Sequence, residues 1–246
     1  MLVEQTVEKM TAMKMHKMAE SFQQRLGRTD HKSLTSSEFI GFLIDDEYQD
    51  RQNKKMASRL RGAQFKESEA CIESIDYKHK RGLKKSEVLE LAQNHWIKKH
   101  QNIVLTGPTG AGKSYLAQAL GNNACRNGFR VLYTRVSKLL LSLLTAKAEG
   151  TYITKMKKLA KTNVLILDDF GLNSLDEVQR QDLFEVIEDR HGVGSTVITA
   201  QLPTTHWHEY LGGGMLGDGI CDRLLHNCHK LKLSGETYRV KVNNLT

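Results

Sequence analysis

Ile103-Val-Leu-Thr106, running into Gly107-Pro-Thr-Gly-Ala-Gly-Lys-Ser114, is the stretch on which the fold turns. A short apolar run enters a glycine-rich turn, and Tyr115 to Cys125 then resumes in a helix-like pattern. The spacing is GxxxxGKS, and each residue type has a physical task in it. Gly110 and Gly112 permit backbone conformations that turn successive N–H groups toward one anion. A helix beginning near Lys113 aims its positive dipole end at the same point. Lys113 adds a mobile cation for the β- and γ-phosphates, and the Ser114 hydroxyl can ligate magnesium. Gly107, Pro108, Thr109, Gly110, Ala111, Gly112, Lys113, Ser114 and Tyr115 are therefore the expected contacts of a nucleotide, with ATP and Mg2+ the expected ligands.

Downstream, Val164-Leu-Ile-Leu-Asp-Asp169 reads as a buried strand ending in two carboxylates. Asp168 is expected beside the phosphate-loop strand, holding magnesium through water, and Asp169 is expected to orient or deprotonate the attacking water. Val131 to Thr134 and Thr196 to Thr199 read as further strands, and Lys230 to Leu233 as a fifth. Helical patterns separate them, so the alternation predicts a parallel five-stranded α/β sheet of βαβ units flanked by helices.

The first third is different. Val3, Val7, Met10, Met18, Phe22 and Leu26 keep three-to-four spacing up to a break at Gly27. Thr35 and Glu38 form a capping box ahead of the apolar positions Phe39, Ile40, Leu43 and Ile44, in a helix that can run through Arg59. A small all-helical domain over residues 1–66 and an ATPase domain over 67–246 follow as the expected organisation.

Charge points to an acidic partner. The 246 residues carry 36 Lys and Arg against 28 Asp and Glu, a net +8. The excess is uneven: residues 130–161 hold eight basic residues and one acid, residues 162–246 seven basic and twelve acidic. Arg51, Lys55 and Arg59 recur every fourth residue, roughly 6 Å apart on a helix, with Lys54 beside them. Together with Lys155, Lys157 and Lys158 these are the expected DNA contacts, and segregated charge suits a phosphate backbone. No aromatic ladder for stacking is evident, which favours duplex DNA over single strands, and no helix-turn-helix or zinc-finger pattern demands base readout. Four scattered cysteines and no long apolar run exclude a disulfide scaffold and a membrane span and fit the cytoplasm. Cys221, His226, Cys228 and His229 match no standard zinc spacing. Gly212-Gly-Gly214 with Gly217 and Gly219 reads as a flexible loop.

Five segments occur in order: Gly107 to Ser114, Leu167-Asp-Asp-Phe-Gly-Leu172, Val197-Ile-Thr-Ala-Gln-Leu-Pro203, Cys221-Asp-Arg-Leu-Leu225 and Ser234-Gly-Glu-Thr-Tyr-Arg239. Together they resemble the IstB-type ATPases that assist the transposase of a bacterial insertion sequence, a group similar to the DnaC and DnaI helicase loaders within the initiator branch of AAA+ proteins. The resemblance implies an AAA+ core in which Gln201, with Thr199 as a second candidate, senses the γ-phosphate. It implies that Arg223 is an arginine finger offered to a neighbouring subunit, against the alternative of an ordinary ion pair with Asp222 or Glu236, and that Arg239 is a second nucleotide-facing arginine. The chain stops soon after Arg239, so no C-terminal helical lid is expected. The implied function is ATP-dependent assembly of an oligomer on duplex DNA and recruitment of a cognate transposase, with hydrolysis resetting the assembly. Helicase loading, and a switch that scarcely hydrolyses ATP, are the alternatives.

Overall fold

A computed structural model describes residues 2–27, 34–77 and 82–235. Two compact units divide the chain, Met1–Ser58 and Arg59–Thr246.

The first unit is helical: α1 (Val3–Ala12), α2 (His16–Leu26) and the start of α3 (Ser36–Ala63). The apolar spacing that continues from Val3 to Leu26 is split between two helices, because Lys14 takes a left-handed φ of 59°. A helix cannot pass through that conformation. Thr35 and Glu38 form the reciprocal cap, the Thr35 amide donating to Glu38 Oε2 at 2.8 Å and the Glu38 amide to Thr35 Oγ1 at 3.3 Å. Buried Glu47 accepts from the Met18 amide at 3.0 Å and from Arg51 Nε at 2.7 Å.

In the second unit α4 (Lys85–Ala92) and α5 (His95–Lys98) precede β1 (Asn102–Thr106) and α6 (Lys113–Arg126). Then come β2 (Val131–Arg135), α7 (Val136–Ala148), α8 (Tyr152–Ala160), β3 (Val164–Phe170), α9 (Glu177–Glu188) and β4 (Ser195–Ala200). Within the described residues α10 (Trp207–Tyr210), α11 (Gly214–Leu225) and β5 (Cys228–Lys232) follow. All five strands are parallel, in the order β2-β3-β4-β1-β5. The expectation that Asp168 lies on the strand next to the phosphate loop is corrected: β4 stands between β1 and β3. Sequence order does not specify lateral order in a parallel sheet, since every crossover helix leaves the choice of neighbour open.

Alternation along the strands divides the core in two. Ile103, Leu105, Val164, Ile166, Val197 and Tyr133 pack in the cluster that contains α6, whereas Val104, Leu165, Leu167 and Ile198 pack with α7 and α9. The polar residues at the carboxyl ends of the strands inherit these faces, so Asp168 and Thr199 emerge on the α6 side. A second correction concerns the glycine-rich segment. Gly217 and Gly219 lie inside α11, where a Cβ on Gly219 would come within 2.8 Å of the Phe184 ring. Missing side chains there serve close helix packing, not a loop. Among the described residues no helix is long and apolar enough to cross a membrane.

Candidate nucleotide site

The loop after β1 is shaped by its glycines. Gly110 and Gly112 take φ of 80° and 92°, conformations that cost other residues energy. Gly112 is the N-cap of α6, and Lys113 and Ser114 are its first residues. The helix therefore opens with its unpaired backbone N–H groups and positive dipole end toward the loop, which is an anion-binding arrangement. The Lys113 ammonium curls back over the loop, donating to the carbonyls of Gly107 and Pro108 at 2.9 Å each. It is 8% exposed, so its charge is focused in one direction. Gln118 ties this helix down from the next turn: its Oε1 accepts from the Lys66 and Glu67 amides at 2.7 and 2.8 Å. Tyr115, partly buried, packs on the core and accepts from the Cys71 amide at 3.4 Å.

Although β4 intervenes, Ser114 and Asp168 meet: Ser114 Oγ donates to Asp168 Oδ1 at 2.7 Å. Two more hydroxyls converge on the same carboxylate, Tyr133 Oη on Oδ2 at 2.6 Å and Thr199 Oγ1 on Oδ1. Asp168 is 3% exposed and Thr199 1%. Burial, and then the bond to Asp168, push the Tyr133 phenol far above its ordinary range, so it is a fixed donor. Thr199 also accepts the Asp169 amide at 3.2 Å, which couples the strand ends of β3 and β4. The sheet register slips between Leu167 and Phe170, and Asp169 has a φ of 60°. That irregularity swings the second carboxylate away from the first, to within 3.4 Å of Arg135 Nε. A cleft of 480 Å³ opens beside this pair, walled by Leu141, Leu144, Leu172 and Val178.

A hydroxyl and a buried carboxylate side by side are hard oxygen donors, and they suit a magnesium ion that keeps most of its water. Gln201, exposed, follows the end of β4, whose Ala200 carbonyl accepts from the Gly107 amide at 3.2 Å. It therefore borders the loop. Arg223 lies elsewhere. It sits near the end of α11, its carbonyl accepting from Asn102 Nδ2 at 2.9 Å, at the amino end of β1. Its guanidinium pairs with Glu188, stacks over Phe184 at 5.2 Å and donates to the Gly219 carbonyl at 3.0 Å. Of the two partners named in the ion-pair alternative, Glu236 lies outside the described residues, as does Arg239; the acid that pairs with Arg223 is Glu188, brought there by the packing of α9 on α11.

Several of the basic residues singled out by spacing are engaged within the protein. Lys54 pairs with Asp50 at 2.6 Å, Arg59 Nε donates to the Cys125 carbonyl at 2.9 Å, and Lys155 to the Ser142 carbonyl at 3.1 Å. Lys55, Lys157 and Lys158 are exposed. Cys228 Sγ donates to the Leu225 carbonyl and His229 bonds Gln101, each a separate contact. Tyr133, Arg135, Gln118 and Glu188 escaped sequence reasoning. The one available signal was Tyr133, a hydroxyl inside an otherwise apolar strand pattern.

With the geometry in place, relatives are informative. A sequence model of the IstB-like ATP-binding proteins matches residues 8–246. An insertion sequence ATP-binding protein, y4pL of Sinorhizobium fredii (strain NBRC 101917 / NGR234), is 41% identical over 239 residues, 97% of either chain. Among solved structures, the DnaC helicase loader superposes with a TM-score of 0.59 at 20% identity, covering 67% of this chain and 96% of that one. AMPPCP-bound DnaA from Aquifex aeolicus gives 0.56 at 22% identity, covering 71% of this chain and 53% of that one. Those two likenesses show a shared fold, a parallel α/β sheet flanked by helices. The family match spans both compact units, and on that ground the chain belongs to the IstB-like ATP-binding protein family.

Proposed function

We propose that this chain binds ATP with magnesium at the loop between β1 and α6, hydrolyses it between subunits, and uses the cycle to assemble on duplex DNA and recruit a transposase. The observation that carries the reading is the 2.7 Å contact between Ser114 and Asp168 beside the Lys113 ammonium, in a chain of this family.

Lys113 transfers its donors from the loop carbonyls to the phosphates, and the first amides of α6 bind the same oxygens. Ser114 and Asp168 hold magnesium, which when bound offsets phosphate charge. Asp169, oriented by Arg135, directs the attacking water, and Gln201 reaches the γ-phosphate from the end of β4. Arg223 acts on the nucleotide of a neighbouring copy. Exposed Lys157 and Lys158, with Lys55 in the helical unit, contact duplex phosphates with little sequence preference; Arg51, Lys54, Arg59 and Lys155 lend positive field from their internal bonds. The insertion-sequence relatives support a place in transposition, with a transposase as partner.

Binding of the full chain to long duplex DNA of arbitrary sequence, with and without ATP and magnesium, tests this. Cooperative ATP-dependent binding is expected in wild type, and its loss in Lys113→Ala. Absence of duplex binding in every nucleotide state would overturn the reading in favour of helicase loading.

A further inference from the structure

Of the three hydroxyls on Asp168, two have evident reasons to be there. Ser114 belongs to the phosphate loop, and Thr199 ties Asp168 to the backbone of Asp169. Tyr133 belongs to neither. It lies on β2, an outer strand, two positions before the residue paired with Asp168, and its ring is 6% exposed within the α6-side core. For packing alone a phenylalanine would serve, yet the hydroxyl reaches Asp168 Oδ2 at 2.6 Å.

We propose that the Tyr133 hydroxyl is a positioning group for Asp168, setting the plane of the carboxylate that holds magnesium. The inference rests on the reading of Asp168 as that holder. Oδ1 receives Ser114 and Thr199, whereas Oδ2 receives Tyr133 from the opposite flank. The two donors on Oδ1 hold one edge of the carboxylate and the third, on Oδ2, holds the other, so its plane is set at both oxygens. A buried carboxylate oxygen without a donor is costly, so the group would turn to recover one and would carry the Ser114 contact with it. Outer groups that orient a metal-holding side chain typically change metal affinity by about 10–100-fold when removed.

The test uses full-length wild type, Tyr133→Phe and Asp168→Asn, with a fluorescent ADP analogue titrated in EDTA and then across a magnesium series. Tyr133→Phe keeps the ring. It is expected to bind the analogue in EDTA as wild type does, and to need about tenfold more magnesium for the tighter state. Binding in EDTA also reports that the fold is intact. A magnesium series superimposable on wild type overturns the proposal, as does an equal loss with and without magnesium, which would mean a packing role. If Asp168→Asn also titrates like wild type, the reading of Asp168 falls and the proposal with it. If Asp168→Asn loses the magnesium response and Tyr133→Phe does not, only the proposal falls.

Discussion

Arg223 and the phosphate loop lie at opposite ends of β1, the arginine near Asn102 and the loop after Thr106. A side chain cannot span the sheet, so Arg223 has no route to the nucleotide of its own chain. If it completes a site, that site belongs to another copy. The pairing with Glu188 and the stack on Phe184 hold its guanidinium in one direction ahead of any assembly. Two inactive proteins should therefore repair one another. Arg223→Ala is expected to bind nucleotide normally and to hydrolyse it about 10³-fold more slowly. Asp169→Asn should bind but not hydrolyse. A mixture of the two should regain activity above either alone, measured as phosphate release on DNA; a mixture no better than its parts would place the arginine outside the reaction.

At the scale of elements, α6 is the part whose placement matters most, because its first residues make the site and its flank contacts the sheet. Gln118, fully buried, satisfies the amides of Lys66 and Glu67 and donates to the Ser114 carbonyl at 3.1 Å. Replacing it with Leu keeps the volume but leaves two backbone donors without their acceptor. Gln118→Leu is expected to lose about 2 kcal/mol or more of stability in urea unfolding. Nucleotide affinity should fall alongside, since the helix start shifts with its anchor. An unchanged midpoint would show that water takes over the two amides. The capping boxes of α3 and α9 were readable at this scale only in part: Thr35 with Glu38 stood out from the apolar pattern behind it. The pair Asp176 and Gln179, with the Gln179 amide donating to Asp176 Oδ1 at 2.8 Å, did not.

Across the whole molecule the net charge of +8 is distributed so that residues 130–161 carry most of the surplus of the second unit. Charge counted along the chain overstates what can meet DNA, because Arg51, Lys54, Arg59 and Lys155 have partners inside the protein. Removing Lys157 and Lys158 together by alanine substitution should flatten the dependence of log Kobs on log salt by about 2, leaving thermal stability unchanged. Arg59→Ala should instead lower stability, measured by thermal melting, with a smaller effect on the salt slope. Equal slopes for the lysine double variant and wild type would move the duplex to another face.

Local chemistry determined what the sequence shows by itself. GxxxxGKS after an apolar run, two carboxylates ending another, and strand alternating with helix need only neighbouring residues, and they specify a phosphate loop on a parallel sheet. The family resemblance extended this to most of the chain. Tertiary structure alone decided the lateral strand order, the three hydroxyls around Asp168, the Arg135–Asp169 pair and the choice of Glu188 for Arg223. Each of these joins residues far apart in the chain, and their meeting follows from how crossovers pack, which no local pattern encodes.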